Sequence, residues 1–342
     1  MNLSITRKLV QFAAFVFLVY GSVVVGFYTA DKISGAFPVL TCAYDAQTAD
    51  YCALIPFQHQ MDHRFGAAIA AGTSLLAALL PTLITLGTFL VLFVLLNKAF
   101  CGWICPLGFF QEVMGMLGQK LGMARAASLP EATVRRIRPV KWLVLVLLVF
   151  GIPVLAGVGF VDHALGSPYC SICPSRILTT LASGNGSQLV MDTSSAGALV
   201  LSLIGAMLFG LTAALSMKMR QPFCRVCPML AMHAVFRKLG LVRLVKNAKP
   251  RCEKCGLCAK ACPMDIREIH TEMTKKDVTF EDCTLCGRCV EFCPDKDVLQ
   301  LKYAFVPVLR ADPVYFKARK KAQSLWEAGN VRAWWRARME TR

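Results

Sequence analysis

Histidine is scarce here: 5 residues in 342. None lies in the four long apolar segments, which argues against an intramembrane haem held between facing histidines. Charged residues make up only 17% of the chain, and acidic ones are the rarer, 21 Asp and Glu against 38 Lys and Arg. With 56% hydrophobic residues and a mean hydropathy of +0.51, the composition is that of a multi-span membrane protein rather than a soluble domain. The net charge of +17 is not read as a nucleic-acid footprint. The basic residues border apolar segments, where Lys and Arg flank the cytoplasmic ends of helices. An A-x-A cleavage site is missing after the first apolar stretch, which is too long for a signal-peptide core and reads as an anchor.

Crossing a bilayer core of ~30 Å takes about 20 apolar residues. Four segments meet that length: Leu9 to Ala30, Ala67 to Phe100, Trp142 to Val161 and Ala196 to Met217. Pro81, with Gly72 and Gly87 nearby, predicts a kink or tilt in the second. Arg7 and Lys8 precede the first segment, seven basic residues from Lys98 to Lys141 separate the second and third, and Lys218, Arg220 and Arg225 follow the fourth. The other two loops are poorer in Lys and Arg and carry Asp31, Asp45, Asp50, Asp62, Asp162 and Asp192. Both termini are therefore expected in the cytoplasm of a bacterial inner-membrane protein, with the loops around 31–66 and 162–195 outside.

Cysteine, by contrast, is plentiful: 16 residues, or four sets of four. Cys252, Cys255, Cys258 and Cys262-Pro263 are followed by Cys283, Cys286, Cys289 and Cys293-Pro294, the C-x2-C-x2-C-x3-C-P spacing of a two-cluster ferredoxin written twice. In that arrangement the fourth cysteine of each run serves the other cluster. Cluster one is Cys252, Cys255, Cys258 and Cys293; cluster two is Cys283, Cys286, Cys289 and Cys262. Paired structural zinc sites show two separated cysteine pairs instead. A second group, Cys101 with Cys105-Pro106 and Cys224 with Cys227-Pro228, lies just past the second and fourth segments. It suits a third cluster or a zinc ion, with reduced thiols as the plain alternative. A third group, Cys42, Cys52, Cys170 and Cys173-Pro174, is expected outside, at the opposite ends of the same spans. Disulfides and an outer cluster both fit it.

The run from Phe100 to Gly108 (FCGWICPLG), the run from Phe223 to Pro228 (FCRVCP) and the doubled ferredoxin motif together resemble the NapH/NosR-type membrane quinol dehydrogenases, over residues 95 to 300 or so. The layout, four spans followed by a ferredoxin domain, is closest to NapH. The resemblance implies two [4Fe-4S] clusters and electrons passing between quinol and a periplasmic redox system. The second Cys-Pro motif departs from the pattern with two intervening residues rather than three, and the outer cysteines lie outside it. The flavin-carrying domain of NosR and the immunoglobulin-like domain of the related CcoG have no counterpart, so nitrate reductase is not assumed as the destination.

Quinol oxidation also needs a proton acceptor at the membrane edge. Asp62-His63 precedes the second segment and Asp162-His163 follows the third, and each Asp is placed to set an imidazole tautomer. His59 shares a helical face with His63. The expected fold is mostly α: a polytopic four-helix transmembrane domain over 1–240 plus a small α+β two-cluster ferredoxin-like domain over 249–301. A basic tail over 302–342 carries Trp326, Trp334 and Trp335 and suits the lipid surface. The expected partners are lipid, quinone and a periplasmic or cytoplasmic redox protein, and the expected role is that of an oxidoreductase component. A maturation reductase, sending electrons outward to a metal centre or disulfide of an exported protein, is the alternative that Cys170 and Cys173 suggest.

Overall fold

The computed structural model describes residues 3–24, 54–123, 128–247, 252–327 and 333. Helix α1 is Leu3–Val24. α2 (Leu54–Gln60), a π-helical turn (Met61–Gly66) and α3 (Ala67–Ala71) run on as one helical segment. It stops at Gly72, whose φ of 66° is left-handed and free of a Cβ clash only in glycine. α4 (Leu75–Leu96) starts afresh behind Ser74 and continues past Pro81. The irregularity expected at Pro81 therefore sits at Gly72. An apolar helix tolerates one missing N–H when its neighbours compensate, but a left-handed residue ends it.

A π-helical turn (Phe100–Ile104) leads into α5 (Pro106–Lys120). α6 (Glu131–Ile137), α7 (Val140–Val144), a third π-helical turn (Leu145–Gly151) and α8 (Ile152–Val158) follow. Next come the short helices α9 (Pro168–Ile172) and α10 (Pro174–Ala182), the long α11 (Ala196–Lys218) and α12 (Pro228–Val235). Among the described residues, three helices are long and apolar enough to cross a membrane: Ala78–Leu96, Glu131–Val158 and Ala196–Lys218. Leu80, Leu83, Ile84 and Met207 on these helices are more than half exposed, a cost in water that lipid removes. The first expected segment is helical to Val24, and its remainder to Ala30 lies outside the described residues.

The stretch expected as an outer loop, 162–195, does not stay at the bundle's end. Gly205, near the middle of α11, packs against it so closely that an added Cβ would lie 2.8 Å from Ser171 O. α9 thus enters the bundle to about half the depth of α11. From the other end, α12 turns back in and places Ala231 and Met232 in one core with Leu54, Phe57, Phe89, Phe93, Val149 and Tyr169. Segments too short to span are tolerated at membrane depth when protein surrounds them.

The second core belongs to the ferredoxin module. Antiparallel strands β1 (Val242–Lys246), β2 (Leu299–Tyr303) and β3 (Val306–Arg310) form one sheet in the order β1-β2-β3. Leu244 pairs with Leu301 in register, and with Ile266, Ile269 and Val298 they pack around the cysteines. The folded unit thus takes in strands on both sides of the 249–301 stretch. Helices α13 (Leu257–Ala261), α14 (Glu268–Thr271) and α15 (Arg288–Glu291) carry the cysteine loops. α16 (Pro313–Glu327) docks on this module: Tyr315 donates a hydrogen bond to Glu291 Oε1 at 2.9 Å, and the Arg319 guanidinium lies 5.3 Å over the Phe292 ring. This part of the tail is therefore docked on protein through one face. Trp334 and Trp335 lie outside the described residues.

Candidate iron–sulfur sites and their connections

Three Cys-Pro pairs adopt one local structure. Cys105, Cys173 and Cys227 are the N-cap residues of α5, α10 and α12, with ψ of 120°, 119° and 122°, and Pro follows at the first helical position. Proline excludes the helical region from the residue before it and pre-sets its own φ for the first turn. Each cysteine is thereby held at the positive end of a helix, which favours the thiolate, the ligating form.

In the ferredoxin module, Cys262, Cys283, Cys286 and Cys289 are all buried and line one small cavity with Leu244, Met264 and Ile269. Cys252 and Cys258 are half-buried, Cys255 is exposed and Cys293 is buried. All eight carry free thiols. Burial pushes Cys283 up to about 11 and Cys293 up to about 12. Cys262 and Cys289 rise further, again chiefly from burial. Neighbouring thiols add to these shifts: Cys293 feels Cys258 and Cys255, Cys262 feels Cys286 and Cys283, and Cys289 feels Cys283, Cys286 and Cys262 ahead of Cys258. Such crowded thiols hold their protons unless a strongly charged metal centre replaces them, and iron–sulfur clusters take this donor set. The residues fit the group.

The membrane-edge group behaves the same way. Burial and the nearby Cys105, Cys227 and Cys224 raise Cys101 well above the ordinary thiol value. Burial, then Cys173 and Cys105, push Cys227 up to about 12. Gln111 Nε2 donates to Cys224 Sγ at 3.4 Å, which works in the opposite direction.

This group sits directly on the buried site of the module. An added Cβ at Gly102 would overlap Thr284 O and lie 3.0 Å from Cys286 Cα. Trp103 Nε1 donates to Leu285 O at 3.0 Å. Arg225, between Cys224 and Cys227, donates to Pro263 O at 2.9 Å and pairs with Asp265 at 2.7 Å. One membrane-edge motif thus grips the Cys283–Cys286 loop and the other grips the turn after Cys262. Two wholly buried lysines fasten the same loop. Lys98 Nζ donates to Phe280 O at 2.8 Å and Glu281 O at 2.6 Å, and Lys141 pairs with Asp282 and, at 2.7 Å, with Glu281. Burial lowers Lys98 to about 8, while Cys283 and Cys101 on either side favour its charged form.

Cys170 and Cys173 were expected at the face opposite Cys227. The structure instead places Tyr169 between the two groups, its hydroxyl 3.8 Å from Cys173 Sγ and 3.8 Å from Cys227 Sγ. Gln58, fully buried, accepts from Tyr169 N at 3.1 Å and donates to Cys170 Sγ at 2.9 Å. Cys42 and Cys52 lie outside the described residues.

One turn beyond Gln58, Asp62 Oδ2 lies 3.6 Å from His63 Nε2 and 3.8 Å from His163 Nδ1. The His59 and His63 rings are 5.3 Å apart. Asp162 does not join them: its carboxylate accepts from Ala164 N at 3.0 Å as a helix cap. The adjacent Asp162-His163 pair is thus replaced by a distant one, because a capping turn aims each side chain its own way.

Sequence reasoning missed Gln58, Lys98, Trp103, Tyr169 and Arg225. None is a ligand type, and the only sequence signal was position: Trp103 and Arg225 lie inside cysteine pairs and Tyr169 adjoins one.

Comparison with known proteins agrees with this donor set. A model described as a 4Fe-4S binding domain matches residues 78–124 and 200–247, and one described as a 4Fe-4S dicluster domain matches 244–294. The chain is 32% identical over 213 residues to YccM of Escherichia coli (strain K12), a protein named for electron transport, covering 62% of this chain and 53% of that one. The uncharacterized protein MJ0750 of Methanocaldococcus jannaschii is 30% identical over 220 residues, 63% of this chain and 76% of its own. The ferredoxin-type protein NapH of Haemophilus influenzae is 28% identical over 233 residues, 65% of this chain and 70% of its own. The chain thus spans about half of YccM and most of the other two. No solved structure matches. Doubled ferredoxin motif, paired membrane-edge cysteines, apolar helices and relatives together place the chain in the NapH/NosR-type family of ferredoxin-type 4Fe-4S membrane electron-transfer proteins.

Proposed function

We propose that this chain carries electrons between a membrane quinone and a redox partner protein, with quinol oxidised at the end of the bundle away from the ferredoxin module. The observation that carries this reading is the Tyr169 hydroxyl, 3.8 Å from both Cys173 Sγ and Cys227 Sγ. Cysteine sites expected on opposite membrane faces, ~30 Å apart, are in fact neighbours. Gln58, one helical turn before Asp62, contacts Cys170 and Tyr169; Tyr169 reaches Cys173 and Cys227; Cys227 acts on Cys101, whose neighbours Gly102 and Trp103 meet the Cys283–Cys286 loop.

When bound, iron–sulfur clusters supply one-electron storage and transfer. Cys252, Cys255, Cys258 and Cys293 hold the outer one of the module, and Cys262, Cys283, Cys286 and Cys289 hold the one facing the bundle. Cys101, Cys105, Cys224 and Cys227 hold a third, in keeping with the family match over both motifs. Cys170 and Cys173 hold a further centre, for which Cys42 and Cys52 are the remaining ligands in the sequence. Asp62, His63 and His163 receive the quinol proton. Exposed Cys255 marks the side from which a soluble partner approaches. The distribution of Lys and Arg supports a four-span inner-membrane protein with both termini and the module in the cytoplasm. A maturation reductase needs a dithiol that an exported protein can reach; Cys170 and Cys173, 3% and 6% exposed, argue against that alternative.

Iron and acid-labile sulfide on anaerobically purified protein test the ligand assignment. More than about eight irons per chain, two cubanes' worth, is expected. About eight would leave the bundle cysteines without clusters and reject the route.

A further inference from the structure

The far end of the bundle holds a cluster of ligating groups that electron transfer alone does not account for. Asp62 and His63 lie in the π-helical turn Met61–Gly66, and His163 opens the short helix His163–Gly166. One carboxylate oxygen and one nitrogen from each imidazole all lie within 4.8 Å of one another. Donors 2.0–2.1 Å from a tetrahedral zinc ion stand about 3.4 Å apart. The separations of 3.6 Å and 3.8 Å from Asp62 Oδ2 are close to that spacing.

The site is built rather than incidental. The Asp62 side chain is 7% exposed, and the basic-residue nitrogens within 4 Å of its carboxylate, among the described residues, both belong to histidine. A Cβ on Gly166 would overlap its carboxylate, and one on Gly157 would overlap its carbonyl oxygen. Only glycines at those two positions let Asp62 lie where it does, with its charge aimed at the imidazoles. The histidine side chains are 50% and 78% exposed, so an ion has access.

We propose that Asp62, His63 and His163 form a binding site for one divalent transition-metal ion of the zinc class. Two imidazoles with one carboxylate select such an ion over calcium or magnesium, which take oxygen ligands. Three protein ligands leave a fourth position for water or for the adjacent His59. The bound ion occupies the nitrogens and oxygen that would otherwise accept a proton, so it competes with quinol oxidation; that consequence alone rests on the proposed function.

The test is zinc binding to cluster-loaded protein in nanodiscs, by equilibrium dialysis, with K-edge X-ray absorption to identify the ligands. One zinc per chain with an imidazole and oxygen shell is expected, and affinity falls at least about tenfold in His163→Ala and His63→Ala, the scale of losing even an outer-shell partner. His163→Ala removes an exposed side chain, and unchanged iron content shows that the variant is folded. Zinc on sulfur, no zinc, or unchanged affinity in His163→Ala overturns the site. Zinc bound as described with quinol oxidation undiminished keeps the metal site and removes the quinone from it.

Discussion

The two cysteine sites of the ferredoxin module share one spacing but not one environment. Cys262, Cys283, Cys286 and Cys289 are 6–7% exposed, enclosed by Gly102, Trp103, Arg225 and Lys98 from the membrane domain. The other site keeps Cys255 exposed and Cys252 and Cys258 half-buried, and the membrane domain reaches the helix that carries Cys258 through Arg220, which donates to Lys260 O at 2.9 Å. Identical motifs thus have different surroundings: one is enclosed against the bundle, the other is open on its Cys255 side. Burial and nearby charge set cluster potentials, so the two sites should not behave alike.

The sharpest way to break that contrast is Gly102→Leu. Its side chain cannot fit against Thr284 and Cys286, so the buried site is pushed off the membrane-edge group. Quinol-driven reduction of the module should fall about a hundredfold, the scale of a 1 Å misplacement. Reduction by dithionite should persist, and stopped-flow absorbance reads both. Lys141→Met comes next. It takes one cation from buried Asp282, which keeps Arg138 at 2.7 Å, so the cost falls below the ~3–5 kcal/mol of leaving a buried charge wholly unpaired. A lower midpoint for release of the module, followed by denaturant titration, is the expected outcome. Lys98→Met removes a cation that interacts with both Cys283 and Cys101. The buried site should become harder to reduce by about 59 mV for each ~1.4 kcal/mol lost, while the open site stays put. An EPR-monitored redox titration separates them, and equal shifts in both would deny the asymmetry. The smallest effect sharpens the contrast without mutation: a chelator should draw iron from the Cys255 side a few-fold faster, since access governs it.

Local chemistry was legible in the sequence and depth was not. The doubled spacing groups the eight module cysteines, and the structure brings Cys262 to Cys283, Cys286 and Cys289 around one cavity. The charge pattern and apolar runs marked the long helices. What stayed hidden was the position of α9. At five residues, preceded by Asp162 and His163, it fails any span criterion and reads as outer loop. Its place inside the bundle depends on Gly205 lacking a side chain and on Gln58, 112 residues from Cys170, satisfying both Tyr169 N and the Cys170 thiol. Such pairings belong to tertiary structure. The same holds for His163, whose sequence neighbour Asp162 caps a turn while distant Asp62 faces the ring.

The central claim is that one chain connects the far end of the bundle to the module through Cys173, Tyr169 and Cys227. The direct measurement is EPR of the reduced clusters after mixing a quinol with anaerobic protein in nanodiscs, comparing the wild type with Cys170→Ser/Cys173→Ser. The account predicts reduction in the wild type and its loss in the variant, with the module's iron retained. Undiminished reduction in the variant would contradict it and place the route elsewhere.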